Sequence, residues 1–321
     1  MARANHGMSS IEHGVLEIPK QMRESAEANP RFRESFMQRL RRYVLGTAYA
    51  LVPQRIALLP RLTLLSIAYL LAPETERDRL PEHPFYYSRR GLVGISNDLS
   101  VDALIANYSR GFFPVCHIGP MKWWGPEERA VIDPADTHVG KNLRRLLKQK
   151  KFTVTFDRAF GQVVEACARP REGKVPLTWI TPKVMNAYLD AHKEGYAHSV
   201  EVWDQEGNLI GGLYGLAIGK VFFGESQFSS AEHSSKVALV ALHRHLREWG
   251  HQVRDGKWMT PHLASFGFKT MERQDFQALL EKHVHEPGRI GQWSVDPLLD
   301  LADWPAKPAS KIEQATQPAH V

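Results

Sequence analysis

Cysteine is almost absent. Cys116 and Cys167 are the only two among 321 residues, they sit in unlike contexts, and no CxxC pair exists. That excludes a disulfide framework and a thiolate zinc site, and the expected setting is a reducing cytoplasm. Histidine is plentiful, at 15, but scattered. His243-x-His245 and His283-x-His285 lack Cys or acidic partners at ligand spacing, so no metal is expected. Long apolar runs are missing as well. The richest stretch, Tyr43 to Ala72, is cut by Pro53, Arg55, Pro60 and Arg61. Neither piece reaches the roughly 20 residues that a spanning helix needs. The start, Met1-Ala2-Arg3-Ala4-Asn5-His6, has no secretory pattern, and no internal repeat is present.

What is there is ordinary in bulk: 43% hydrophobic and 24% charged residues, as in a globular protein with room for two domains and an extra segment. The net charge of +6 fits an anionic partner, nucleic acid or a membrane surface. Arg31, Arg33, Arg39, Arg41 and Arg42 stand just before the apolar stretch. Two readings follow: a peripheral membrane contact through an amphipathic helix, or a helical extension packed on the body or on a partner subunit.

Residues 1 to about 30 are polar and expected to be loosely held, and residues 31–72 read as two or three helices. Pro73 to Arg79 reads as a charged linker, with the globular body starting near Pro84. A helix follows from Val101 to Tyr108 with Ser100 or Asp98 as its cap, then another from Thr137 to Lys151. Phe152–Phe156 alternates like a strand; Phe160–Ala168 and Thr181–Lys193 read as helices, the second opened by Pro182. Strands follow at Ala197–Trp203, Leu209–Ile218 and Val221–Gly224, with Gly219-Lys220 as a hairpin turn. A long Ser-capped helix runs from Ser234 to Trp249 and stops at Gly250; Val253 lies in one more strand. Short helices are expected at Pro261–Phe266 and Gln274–His283, and residues 286–321 read as a proline-containing tail. This is an α+β layout: a small N-terminal α/β domain (85–128) and a GNAT-like acyltransferase domain (129–285), preceded by the helical, basic extension (1–84).

One stretch carries chemistry. In Phe222-Phe223-Gly224-Glu225-Ser226-Gln227-Phe228-Ser229 an apolar run that reads as a buried strand ends in a Gly, with a carboxylate at its mouth. A carboxylate there is costly unless something pairs or uses it. Asp255-Gly256-Lys257 ends the next short strand. If the two strands are neighbours, an acid and an amine converge, and with the pair Trp123-Trp124 they suggest a cleft that handles a carbonyl and an amine. By strict alternation, Phe223 and Gln227 would face away from Phe228.

Several ordered motifs carry a resemblance. They are Gly94-Ile95-Ser96-Asn97-Asp98-Leu99-Ser100, Tyr108-Ser109-Arg110-Gly111-Phe112-Phe113-Pro114, Trp123-Trp124-Gly125-Pro126, Phe160-Gly161-Gln162-Val163-Val164-Glu165-Ala166-Cys167-Ala168 and Thr178-Trp179-Ile180-Thr181. Then come Ala197-His198-Ser199-Val200-Glu201-Val202-Trp203, Gly211-Gly212-Leu213-Tyr214-Gly215 and Phe223-Gly224-Glu225-Ser226-Gln227-Phe228-Ser229. From about Gly91 to His283 the chain resembles the leucyl/phenylalanyl-tRNA–protein transferases. The resemblance implies a small N-terminal domain, a GNAT-like C-terminal domain, no metal and no coenzyme A. It also implies transfer of an amino acid from charged tRNA to the N-terminus of an acceptor protein that begins with Arg or Lys, as in N-degron tagging.

The chain departs from that pattern near the site. The family usually has Met at Gln227, where it helps line the pocket for Leu or Phe; Gln at Lys257; and Arg at Ser230. The departures keep a second reading open: transfer to a lipid or small molecule by a divergent paralogue. As catalytic residues the resemblance points to Glu225, Asp255 and Lys257. Glu225 would bind the α-amino group of the aminoacyl moiety, or form a structural salt bridge. Asp255 would polarise the residue two places on, or cap the strand end. Lys257 would act as a neutral base, stabilise an oxyanion as an ammonium, or pair with Asp255 or a tRNA phosphate. Trp123, Trp124 and Trp179 are candidates to stack on the terminal adenine, with core packing as the alternative. Phe223, Gln227 and Ser229 complete the expected substrate contacts, and the basic helix end Arg144, Arg145, Lys148, Lys150, Lys151 fits either tRNA phosphate or solvent.

Overall fold

In a computed structural model, residues 31–304 are described, apart from 84, 87, 88, 171, 172 and 174. The expectations for residues 1–30 and for 305–321 lie outside the described residues.

Among the described residues, ten strands fall into two sheets. β1 (Leu92–Ile95), β2 (Phe113–Pro114) and β3 (Lys122–Trp124) form an antiparallel sheet with β3 in the middle. The seven-stranded sheet runs β10-β4-β9-β8-β7-β6-β5. Its strands are β4 (Glu128–Ile132), β5 (Thr153–Phe156), β6 (Ala197–Trp203), β7 (Leu209–Ile218), β8 (Val221–Ser229), β9 (Val253–Lys257) and β10 (Lys269–Glu272). Every pairing is antiparallel except β8 with β9. The layout is mixed α and β, with helices on both faces of the large sheet.

The helices are α1 (Phe36–Ala50), α2 (Pro53–Ile56), α3 (Leu59–Leu71), α4 (Glu74–Arg77), α5 (Val101–Ser109), α6 (Lys141–Lys148), α7 (Phe160–Ala168), α8 (Pro182–Lys193), α9 (Ser234–Glu248), α10 (Pro261–Ala264) and α11 (Arg273–His283). On one face of the sheet, α7 and α8 bury Val163, Val164 and Tyr188 together with Tyr214 and Phe223. On the other, α9 buries Val237 to Leu242 against Leu213, Phe222 and Val200. With helices on both sides, every residue of β6 is buried.

Local chemistry explains the element ends. Ser100 Oγ accepts from the Ala103 amide and starts α5. Pro182 sits in the first turn of α8. Gly250, at φ 74°, follows α9 in the left-handed conformation that releases a helix end.

Four expectations are corrected. The helix expected over 137–151 is only Lys141–Lys148, because residues Pro134–Asp136 form a 3₁₀ turn and Gly140 opens the helix. Ser234 does not cap α9: its Oγ donates to the Ile210 carbonyl at 2.8 Å, while His233 at φ 67° is the cap residue. The charged linker contains the helical turn α4, set on Pro73 with Glu74 and Glu76 in its first turn. Residues 286–304 are no loose tail. Trp293 is 1% exposed, stacks at 3.6 Å on His198 and donates its amide to Asp157 at 2.7 Å. One aromatic anchor in irregular chain leaves no periodicity for a sequence to show.

The extension is docked on the body. Gly46 packs so closely that a Cβ there would lie 2.3 Å from Ile118 Cγ2. Arg42 donates to the His117 carbonyl at 2.9 Å, and Asn97 donates to the Tyr69 hydroxyl at 2.9 Å.

Candidate active site

The parallel β8–β9 pairing ends at Phe223↔Asp255. Past that point β8 pairs only with β7, and β9 turns to β4, where Asp255 faces Val131. The two strands therefore part, and polar side chains stand at the mouth of the gap. At the same place β8 has a bulge: Gly224 pairs with Gly215 and Ser226 with Tyr214, leaving Glu225 without an opposite residue. The extra residue turns the Glu225 carboxylate toward the α5–α8 face, where Tyr108 Oη donates to it at 2.6 Å.

The bulge also corrects the expected alternation. Phe223 and Phe228 pack into the same core, whereas Gln227 pairs with Leu213 of the opposite core. One inserted residue shifts the parity of everything after it.

Two ion pairs converge here. Lys257 Nζ donates to Glu225 Oε2, and both side chains are nearly inaccessible. The ammonium lies 4.8 Å from the Phe113 ring centre and 5.6 Å from that of Trp179. Burial pushes its pKa below the usual lysine value, against the pull of the Glu225 carboxylate. Asp255 is held instead by Arg129, bidentately, at 2.7 Å for both contacts. Asp255 also accepts the backbone amide of Lys257 at 2.8 Å. That bond holds Lys257 at φ 64°, a left-handed conformation unusual for a residue with a side chain. Arg129 lies between the rings of Phe113 and Phe276 and donates to the Gly111 carbonyl at 2.8 Å. Behind Glu225 the hydroxyls of Tyr108 and Tyr188 are 2.6 Å apart. Burial, then the Glu225 charge, raises both phenols well above 10, so they remain protonated donors.

The structure brings together Glu225, Asp255 and Lys257, with Trp179 beside them. It does not bring in Trp123, which is 0% exposed with its indole N–H on the Ser96 carbonyl at 3.1 Å; alternation along β3 turns it into the core. Phe223 is also 0% exposed, against the Tyr108 ring. It supports the site from behind and offers no surface to a substrate. Trp124, the neighbour of Trp123, lines a cavity of about 470 Å³ with Trp258, Lys122 and Tyr49. Trp179 lines a second cleft of about 680 Å³ with Ser226, Glu165 and Glu34. Gln227 and Ser229 line a third, of about 770 Å³, with Cys167, Phe228 and Ser235. Ser229 Oγ is tied to Ser234 Oγ at 2.8 Å.

Sequence reasoning assigned no role to Tyr108, Tyr188, Phe113 or Arg129. Tyr108 and Phe113 lie in a motif singled out above, but only the fold brings them to Glu225 and Lys257. Among the described residues no cluster of three or more His, Cys, Asp or Glu could hold a metal.

The family described as leucyl/phenylalanyl-tRNA protein transferase matches residues 131–281, and its N-terminal domain matches residues 97–127. A leucyl/phenylalanyl-tRNA–protein transferase of Pseudomonas fluorescens is 45% identical over 222 residues, 68% of this chain and 97% of that protein. One from Azotobacter vinelandii is 44% identical over 216 residues, 66% of this chain and 95% of that protein. Among solved structures, L-PGS from Bacillus licheniformis aligns with a TM-score of 0.29 at 13% identity, over 60% of this chain and 63% of that one. That likeness is too weak to carry an argument.

Proposed function

The chain belongs to the leucyl/phenylalanyl-tRNA protein transferase family, and on that premise we propose how its buried Lys257–Glu225 pair serves the reaction. The protein is an aminoacyltransferase that takes an amino acid from charged tRNA and attaches it to the N-terminal amine of a protein. The amine attacks the ester carbonyl carbon and a C–N bond forms. The C–O bond to the terminal ribose breaks, and the amine's proton ends on the ribose oxygen.

Lys257, as an ammonium, stabilises the oxyanion that develops on the carbonyl. Glu225 takes the proton from the attacking amine and passes it to the leaving oxygen. Tyr108, backed by Tyr188, orients Glu225. Asp255 is a positioning residue: locked on Arg129, it fixes the Lys257 backbone through the amide bond. The observation that carries this assignment is the Lys257–Glu225 pair at the mouth of the β8–β9 gap, boxed by aromatic rings.

The finer parts belong to the same proposal. Residues 129–285 form a GNAT-like domain, a reading supported by the mixed sheet whose one parallel pair splays beside a bulge. Residues 85–128 form the small N-terminal domain, around the three-stranded sheet. Trp124 or Trp179 stacks on the terminal adenine, since Trp124 shares a cavity with Trp258, the neighbour of Lys257, and Trp179 lies 5.6 Å from the Lys257 ammonium. The cleft of Gln227 takes the side chain of the transferred amino acid, Leu or Phe, with Leu209, Ala166 and Phe228 as its apolar wall. Glu165 and Glu34, on the cleft of Trp179, suit an acceptor with a basic first residue. A cytoplasmic setting follows from the substrate.

The test is transfer from tRNAs charged with individually labelled amino acids to a protein with an N-terminal Arg, alongside a total lipid extract. Leu or Phe label on the protein, lost in Glu225→Gln, is the expected result. Label from another amino acid, or in lipid only, sinks the substrate assignment; full activity of Glu225→Gln sinks the mechanism.

A further inference from the structure

Eighteen large apolar side chains are exposed among the described residues, and twelve of them lie between Phe36 and Leu71. The same region holds the chain's charge. Residues 31–72 contain seven arginines and one acid, Glu34, whereas the 34 basic and 34 acidic residues elsewhere cancel. The net +6 of the whole protein therefore resides in its docked extension.

The geometry of α1 is amphipathic in an unusual sense. Its inner face, Arg42, Gly46 and Tyr49, meets the loop around His117 and Ile118. Its outer face carries Phe36, Met37, Leu40, Tyr43 and Val44, all exposed. At about 100° per residue these five span an arc of about 120°. Arg39 and Arg41 fall on opposite flanks of that arc, both exposed. α3 repeats the pattern more simply: it has no buried residue, exposes Leu64, Ile67, Leu70 and Leu71, and carries one charge, Arg61, in its first turn. Among the described residues no helix is long and apolar enough to cross a membrane.

From this we infer that the outer face of α1 and α3 binds the surface of an anionic lipid bilayer, with the apolar side chains in the acyl boundary and the arginines at the phosphate level. Alternative occupants fit less well. RNA would match the arginines but leave the apolar arc in water. A second copy would set two faces of the same strong positive charge against each other. Because α1 is seated on the body through Gly46 and Arg42, the bilayer would hold the catalytic body rigidly at its surface.

The test is flotation of the full-length protein with vesicles of phosphatidylcholine, alone or mixed with phosphatidylglycerol. Binding to the mixed vesicles is expected to exceed binding to neutral ones at least about tenfold, and to fall about fivefold in each of Arg39→Gln and Arg41→Gln. The double variant Leu40→Glu/Ile67→Glu changes only exposed positions. It should lose vesicle binding while keeping its circular dichroism and its transfer to a soluble peptide. Equal partition into both vesicle types, or unchanged binding by the double variant, overturns the inference. So does an absence of vesicle binding when the arginine variants lose tRNA affinity, or when the double variant abolishes a concentration-dependent dimer.

Discussion

The end of β9 carries two buried ion pairs only two residues apart, and they differ in every respect that matters. Asp255 is met by Arg129 along both carboxylate oxygens, and the guanidinium spends its third nitrogen on the Gly111 carbonyl. Nothing in that pair is left to offer a substrate. Glu225 is held by one phenol and one ammonium, in a box of aromatic rings at the point where two strands part. Lys257 belongs to both arrangements, with its backbone on the first and its side chain in the second. The contrast separates an acid whose oxygens are taken up by Arg129 and a backbone amide from the acid proposed above to do the chemistry, although the sequence presents both simply as acids at strand ends.

The largest effect should come from breaking the first pair. Arg129→Ala leaves Asp255 buried and unpaired, and stability should fall by about 3–5 kcal/mol in denaturant unfolding. A smaller loss than that of an exposed arginine would merge the two pairs into one class. Glu225→Gln should lower the transfer rate by roughly 10²–10⁴-fold in a single-turnover assay. The double variant Glu225→Gln/Lys257→Gln leaves no charge unpaired, so it should unfold as cooperatively as the wild type while staying slow.

Next in size is stability against pH, where a third buried acid sharpens the comparison. Glu201 has no cationic partner among the described residues, and burial raises its pKa to about 7, opposed by the Ser199 and Thr155 hydroxyls. The folded state thus holds a proton that the unfolded state releases near 4.5. Stability from this group is present at low pH and lost as pH rises toward 7, by up to about 3 kcal/mol. Glu201→Gln should flatten the melting temperature between pH 5 and 8; an unchanged slope would exclude this group. Trp124→Ala should weaken charged-tRNA binding by about 1–3 kcal/mol, read by filter binding, whereas Trp123→Phe should act on stability alone.

The smallest loss of rate is expected at Lys257→Gln, which puts an amide, the side chain the resemblance implies at this position, in place of the ammonium. Its amide still donates to the oxyanion but without the charge, so transfer of Leu and Phe should slow by less than the roughly 10²-fold loss expected at Glu225→Gln. What should change is the pH profile: the wild type loses rate on the alkaline side as Lys257 deprotonates, below the ordinary lysine range because burial lowers its pKa. The variant should lose that limb, and an unchanged profile would mean the ammonium has no part in the rate.

Much of the fold was legible in local sequence. The strands Ala197–Trp203 and Leu209–Ile218 and the helices over 160–168 and 182–193 stand where periodicity and Pro182 put them. Legibility failed where the signal was not periodic. Trp293 anchors an irregular segment, and Gly140 delays a helix expected to start at Thr137. In the site, Glu225 and Asp255-x-Lys257 were readable because acids at the ends of apolar strands are costly. Their partners were not, since Tyr108, Tyr188 and Arg129 are brought in from distant elements.

The sequence by itself determined the main helices, the strands β5 to β7, the family and which residue types stand at the ends of β8 and β9, because these depend on near neighbours and on motif order. Only the tertiary structure decided which acid meets which base. An alternation rule cannot foresee a bulge, and one extra residue at Glu225 set the direction of every side chain after it.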